Sequence, residues 1–121
     1  MPIIRSISGL RATISDDCLN PDLIRDYIFA LTNCIPDGLI VLGRDGRPSG
    51  KWIEDAIIKL LTDLGWDVCS LGIVPTPTVQ LKTENSEAAC GIVITASHNP
   101  SDWNGLKFIN QEGVFFDANQ N

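Results

Sequence analysis

The sequence predicts an α/β fold, a mostly parallel mixed sheet of about four strands with helices on both faces, and three observations carry that prediction. Apolar runs without alternation, such as Leu39-Ile40-Val41-Leu42 and Cys90-Gly91-Ile92-Val93-Ile94-Thr95, mark strands covered on both sides. Segments of helical period lie between them. Each interior run then empties into a loop dense in Gly, Pro, Arg or Asn.

In chain order, Ile3-Ile4-Arg5-Ser6-Ile7 reads as a short strand entering a turn at Ser8-Gly9-Leu10-Arg11. Asn20 supplies an N-cap and Pro21 a first helical residue. Leu23, Ile24, Tyr27, Ile28 and Leu31 recur behind them, which predicts a helix over residues 21–33. The strand at 39–42 leads to Gly43-Arg44-Asp45-Gly46-Arg47-Pro48-Ser49-Gly50. A second helix over 51–64 buries Trp52, Ile53, Ala56, Ile57, Leu60, Leu61 and Leu64, and Gly65 stands at its left-handed C′ position. Residues 66–71 read as a second interior strand closed by Gly72. Thr76 and Pro77 resemble an N-cap and N1 pair opening a short helix to about residue 83. After the strand at 90–95 come Leu106-Lys107-Phe108-Ile109 and Val114-Phe115-Phe116, a hairpin or paired sheet edges. Ligands collect at the carboxyl ends of such strands, so the loops at 43–50, 72–78 and 96–105 are expected on one rim.

Composition narrows the function. With 121 residues, 44% hydrophobic and a formal charge of −6, the chain suits one folded domain and excludes intrinsic disorder. The negative charge argues against nucleic acid as a partner. No run is long enough for a membrane span or signal peptide, so a cytoplasmic chain with no membrane partner is expected. Cys18, Cys34, Cys69 and Cys90 contain no C-x-x-C pair, and His98 is the one histidine, so Cys and His spell no zinc site. Two disulfides are arithmetically open; reduced, mostly buried thiols are the expected state.

Four of the nine cations, Arg11, Arg44, Arg47 and Lys107, lie in or beside glycine-rich loops, where backbone N–H groups can also face an anion. An acidic chain with cations so placed suits a small phosphate or carboxylate ligand, although polar loops commonly carry solvated arginines. Thr95-Ala96-Ser97-His98-Asn99-Pro100 is sharper, because a serine in a tight turn at the end of a buried strand suits a nucleophile or phosphoryl carrier. The plainer alternative makes Ser97 a turn hydroxyl, His98 a surface residue and Asn99-Pro100 a turn starter. A Ser-His-Asp hydrolase is poorly supported, since no G-x-S-x-G elbow is present.

That segment, followed by Asn104-Gly105-Leu106-Lys107-Phe108, resembles the phosphoserine loop of the α-D-phosphohexomutases. Three further segments are similar to family motifs in the same order: Ser8-Gly9-Leu10-Arg11, residues 43–50, and Gly72-Ile73-Val74-Pro75-Thr76-Pro77-Thr78. The resemblance spans residues 3–117 and implies the N-terminal, phosphoserine-loop domain of a larger multi-domain phosphohexomutase, with this domain as residues 1–121. It implies interconversion of hexose 1-phosphate and hexose 6-phosphate, through Ser97 as phosphoserine and a hexose 1,6-bisphosphate intermediate. By the same resemblance Lys107 is general acid or base, Arg11 an active-site arginine and His98 a contact to phosphate or sugar. Arg44, Asp45, Arg47, Asn99 and Asn104 support the phosphate loop, and Mg²⁺ takes one ligand from the Ser97 phosphate.

The sequence departs from the family in two respects. Ala12 follows Arg11 where relatives carry glycine, which would strain the turn if a positive φ is needed. The family's Asp-rich metal loop, sugar-binding loop and C-terminal phosphate clamp do not occur in residues 1–121, so further metal ligands are expected from other domains and the chain alone is expected to be inactive. A phosphoglucosamine mutase of the same family, or a stand-alone phosphosugar-binding module, is the alternative.

Overall fold

The computed structural model describes residues 3–6, 9–14, 19–96 and 102–115. Chain order is β1 (Ile3–Ser6), β2 (Gly9–Thr13), α1 (Pro21–Thr32), β3 (Leu39–Arg44), α2 (Gly50–Asp63), β4 (Asp67–Ile73), α3 (Thr76–Asn85), β5 (Cys90–Ile94) and β6 (Trp103–Ile109). The strands form one sheet in the order β1-β2-β6-β5-β3-β4. Parallel pairing joins β3 to β4 and β5, whereas β1–β2, β2–β6 and β5–β6 are antiparallel.

The predicted class stands, with six strands instead of about four. The additions are β2 and the full length of β6. The Gly and Arg residues of β2 and the Asn104-Gly105 pair ahead of the predicted run 106–109 interrupt the apolar pattern that marks a strand, and backbone pairing recruits them instead. The expected turn at residues 8–11 is therefore mostly strand, and Ala12 sits there buried and paired with Ile3 and Asn104. Glu87 is the non-glycine residue of positive φ among those described, so alanine after Arg11 causes no strain. Residues 67–73 form the sheet edge and not an interior strand: Asp67, Ser70 and Ile73 are exposed and β4 pairs with β3 alone among the described strands. Of the expected hairpin or paired sheet edges formed by 106–109 and 114–116, the described residues show one bridge, Ile109↔Phe115, and β2 and β5 flank β6.

Local signals end the helices. The Asn20 side chain accepts from the Leu23 N–H at 3.0 Å, with Pro21 first in α1. Past α2, Gly65 adopts φ +90°, its N–H donates to Thr62 O at 3.0 Å and that of Trp66 to Leu61 O at 2.9 Å, the paired bonds of a Schellman motif. At α3 the cap is Pro75, one residue before the expected Thr76.

The sheet separates two cores. On one face Ile24, Ile28 and Leu31 of α1 and Ile53, Ile57 and Leu61 of α2 pack on Ile40, Leu42, Ile92, Ile94 and Leu106. On the other, Val79 of α3 joins Val41, Val93 and Ile109. Full burial of each such side chain contributes about 2 kcal/mol. Because β3 and β5 run parallel and β6 returns between β5 and β2, one rim collects the ends of β2, β3 and β5 and the start of β6. Among the described residues no helix is long and apolar enough to cross a membrane.

Candidate functional site

At that rim Asp45 is the hub. Its N–H donates to Ile94 O at 3.1 Å. One carboxylate oxygen accepts from the Arg47 N–H at 3.2 Å. The other accepts from Arg47 Nε at 3.2 Å and from Thr95 Oγ1 at 2.7 Å. Arg47 continues outward, its Nη1 donating to Trp103 O at 3.2 Å. Asn104 Nδ2 donates to Ser49 Oγ at 2.8 Å, and Thr95 N to Gly105 O at 2.9 Å. The loop after β3 thus grips both flanks of the segment that carries Ser97. Ser97, His98 and Asn99 themselves lie outside the described residues, as does Cys18.

The geometry explains these residue types. A carboxylate accepts several bonds at once, a guanidinium bridges a carboxylate and a carbonyl, and an amide donates and accepts together. Asp45, Arg47 and Asn104 are consumed in holding the loops. Asp45→Ala leaves the Arg47 guanidinium, whose side chain is 12% exposed, without its carboxylate. We expect about 2 kcal/mol lost in urea denaturation. Asp45→Asn, which keeps an acceptor for Thr95, should lose about half as much.

Arg44 is placed differently. Its carbonyl accepts from Val74 N at 3.0 Å, which ties in the loop after β4. Its side chain lies against Glu54 of α2, Nε to Oε2 3.5 Å, and a Cβ on Gly50 would stand 3.2 Å from Arg44 Cδ. Glu54 is 5% exposed and also accepts from Ser70 Oγ at 3.3 Å. Sequence reasoning passed over Glu54 and Thr95. The signal for Glu54 was a charged residue within the buried stripe Ile53, Ile57, Leu61.

Lys107 projects from the middle of β6, opposite Val93 of β5 and Gly9 of β2, with Nζ 5.2 Å from the centroid of the Phe115 ring. Arg11 stands two positions along, opposite Gly105, so the two predicted cations share neighbouring strands near the rim. Three thiols, Cys34, Cys69 and Cys90, are free, and burial pushes that of Cys90 up to about 12, so it is no nucleophile at neutral pH. Among the described residues no group of three or more His, Cys, Asp or Glu side chains could hold a metal, and Asp45, the acid of the loop cluster, is spent on Thr95 and Arg47. These residues do not by themselves fit a divalent-cation site.

Comparison with known proteins accords with this fold. The family model described as "Phosphoglucomutase/phosphomannomutase, alpha/beta/alpha domain I" matches residues 3–121. A phosphoglucosamine mutase of Finegoldia magna is 42% identical over 110 residues, which are 91% of this chain and 24% of that protein. A phosphoglucomutase/phosphomannomutase of Thermococcus kodakarensis is 47% identical over 76 residues, 63% of this chain and 17% of that protein. A crystal structure described as a phosphomannomutase from Thermus thermophilus superposes with a TM-score of 0.84 and 29% identity, covering 99% of this chain and 28% of that one. The chain therefore spans about a sixth to a quarter of the length of these curated relatives.

Proposed function

The chain belongs to the phosphoglucomutase/phosphomannomutase family, and from that premise we propose that it is the phosphoserine-bearing domain of a multi-domain phosphohexomutase, an intramolecular phosphotransferase acting on hexose phosphates. The observation that carries this reading is the Asp45 hub, which binds the loop after β3 to both flanks of the Ser97 segment. Phosphoryl transfer is mostly positioning and charge neutralisation, so a rigid frame of loops with cations beside it is the apparatus the reaction requires.

In this reading Ser97 gives its phosphoryl group to a sugar hydroxyl and takes one back from the other end of the hexose 1,6-bisphosphate. Lys107 moves the hydroxyl proton, and Arg11 and His98 bind phosphate or sugar oxygens. Mg²⁺ would offset charge at the Ser97 phosphate, with its remaining ligands from other domains. The partners are the hexose phosphate and those domains. The named relatives favour glucosamine phosphate as the alternative substrate to glucose or mannose phosphate, and parallel turnover assays on the three separate them.

Purified with its further domains, the enzyme is expected to carry one phosphate by intact mass, mapped to Ser97, and Ser97→Ala is expected to abolish turnover. A phosphate mapping elsewhere, or an active Ser97→Ala enzyme, would overturn the assignment. The 121-residue chain by itself is expected to interconvert nothing. Turnover by that chain unaided would reject the multi-domain reading.

A further inference from the structure

Beyond the motif residues, we propose that Phe115 is a positioning residue for Lys107, its ring held against the ammonium so that the lysine keeps one approach to the reacting oxygen. This rests on the reading of Lys107 as the residue that moves the proton.

The ring is delivered by a turn with its own internal bonding. Asn110 N donates to Val114 O at 2.8 Å, and Gly113 N donates to Asn110 O at 3.0 Å. The Asn110 side chain, in a residue 9% exposed, accepts from Glu112 N at 2.9 Å and Val114 N at 3.2 Å. Gly113 takes φ +82° under α3, where a Cβ would lie 2.9 Å from Gln80 O. The turn is thus docked on the helix, and the Ile109↔Phe115 bridge returns the chain beside β6. Phe115 then packs with the cluster of Val41, Val79, Val93 and Ile109. Its ring is anchored by the core of that face and not by the lysine.

A lysine is a point charge on a four-carbon stem, and fixing it sacrifices considerable rotamer freedom. In the sheet Lys107 stands opposite Val93 of β5 and Gly9 of β2. At 5.2 Å from the ring centroid, Nζ is within the range where the π face attracts a cation. The ring orients the ammonium and covers one side of it, while the amine remains able to exchange a proton.

The test uses the 121-residue chain with ¹³C-labelled lysine. Ring current should displace the Lys107 ε-methylene signal upfield of those of Lys51, Lys59 and Lys82. In Phe115→Leu the displacement should collapse, and acylation of Lys107 by acetic anhydride should rise about two- to fivefold relative to Lys59. Phe115→Trp should preserve both wild-type values. An undisplaced Lys107 signal in the unsubstituted chain overturns the proposal even if Phe115→Leu fails to fold. Unchanged shift and reactivity in a folded Phe115→Leu chain overturn it too, as does Phe115→Trp behaving like Phe115→Leu. None of these readouts involves phosphoryl transfer. Failure of the catalytic reading shows separately, as full turnover by Lys107→Met in the multi-domain enzyme.

Discussion

Gly91→Ala is expected to destabilise the chain by about 3 kcal/mol, lowering the midpoint of thermal unfolding by roughly 10 °C. Gly91 lies in β5, where α3 crosses the sheet. A Cβ there would run into Thr83 Oγ1, and it would also stand 3.3 Å from Ile109 Cβ and 3.4 Å from Thr83 Cβ. Thr83 cannot yield easily. It is fully buried, and its hydroxyl donates to Val79 O at 2.7 Å within α3. Either α3 lifts and loosens Val79 from Val41 and Val93, or the hydroxyl loses its partner in an apolar site. Thr83→Ala in the same chain removes the obstructing oxygen, so the double variant should recover more than half of the loss. Strict additivity of the two substitutions in calorimetry would refute the steric cause.

Glu54→Ala is expected to cost about 3 kcal/mol in urea denaturation, because it strands a cation. Arg44 Nε is buried without a hydrogen bond, and the Glu54 carboxylate at 3.5 Å is its counter-charge. Lys51, itself a cation, shares Glu54 only weakly. That exposed lysine is held above its usual pKa chiefly by its hydrogen bond to Asp55 and by the charge of Asp55, at 2.9 Å, while Glu54 lies at 3.7 Å. Pairing Glu54→Leu with Arg44→Met removes both charges and should restore most of the stability, since an apolar pair needs no counter-ion. A loss below about 1 kcal/mol in Glu54→Ala would mean that Arg44 reaches water instead. Because Arg44 ends β3 just before the Asp45 hub, this pair also sets where the loop begins.

Legibility in the sequence follows the range of each interaction. Helices α1 and α2 were readable because their apolar stripes, Asn20 and Gly65 act within a few residues. The buried strands β3 and β5 were readable because burial on both faces demands an unbroken apolar run. Strand β4 has comparable composition, and its place at the edge depends on having no partner beyond β3 among the described strands, which no local pattern encodes. Strand β2 and the first residues of β6, 103–105, were concealed by their polar and glycine residues, some of which are the site candidates themselves: Arg11 and Asn104.

By itself the sequence determined the α/β class, the N-terminal cap of α1 and the C-terminal stop of α2, and the set of loops facing one rim, because periodicity, caps and glycine content are local properties. Tertiary structure alone decided what those loops do to one another. Asp45 meets Thr95, Arg47 meets Trp103 and Ser49 meets Asn104 across separations of 50, 56 and 55 residues. It also turned Arg44 toward a buried glutamate and set Phe115 beside Lys107. The reason is physical: a charged side chain is assigned its partner by sheet register and helix packing, and these exist only once the distant strands have paired.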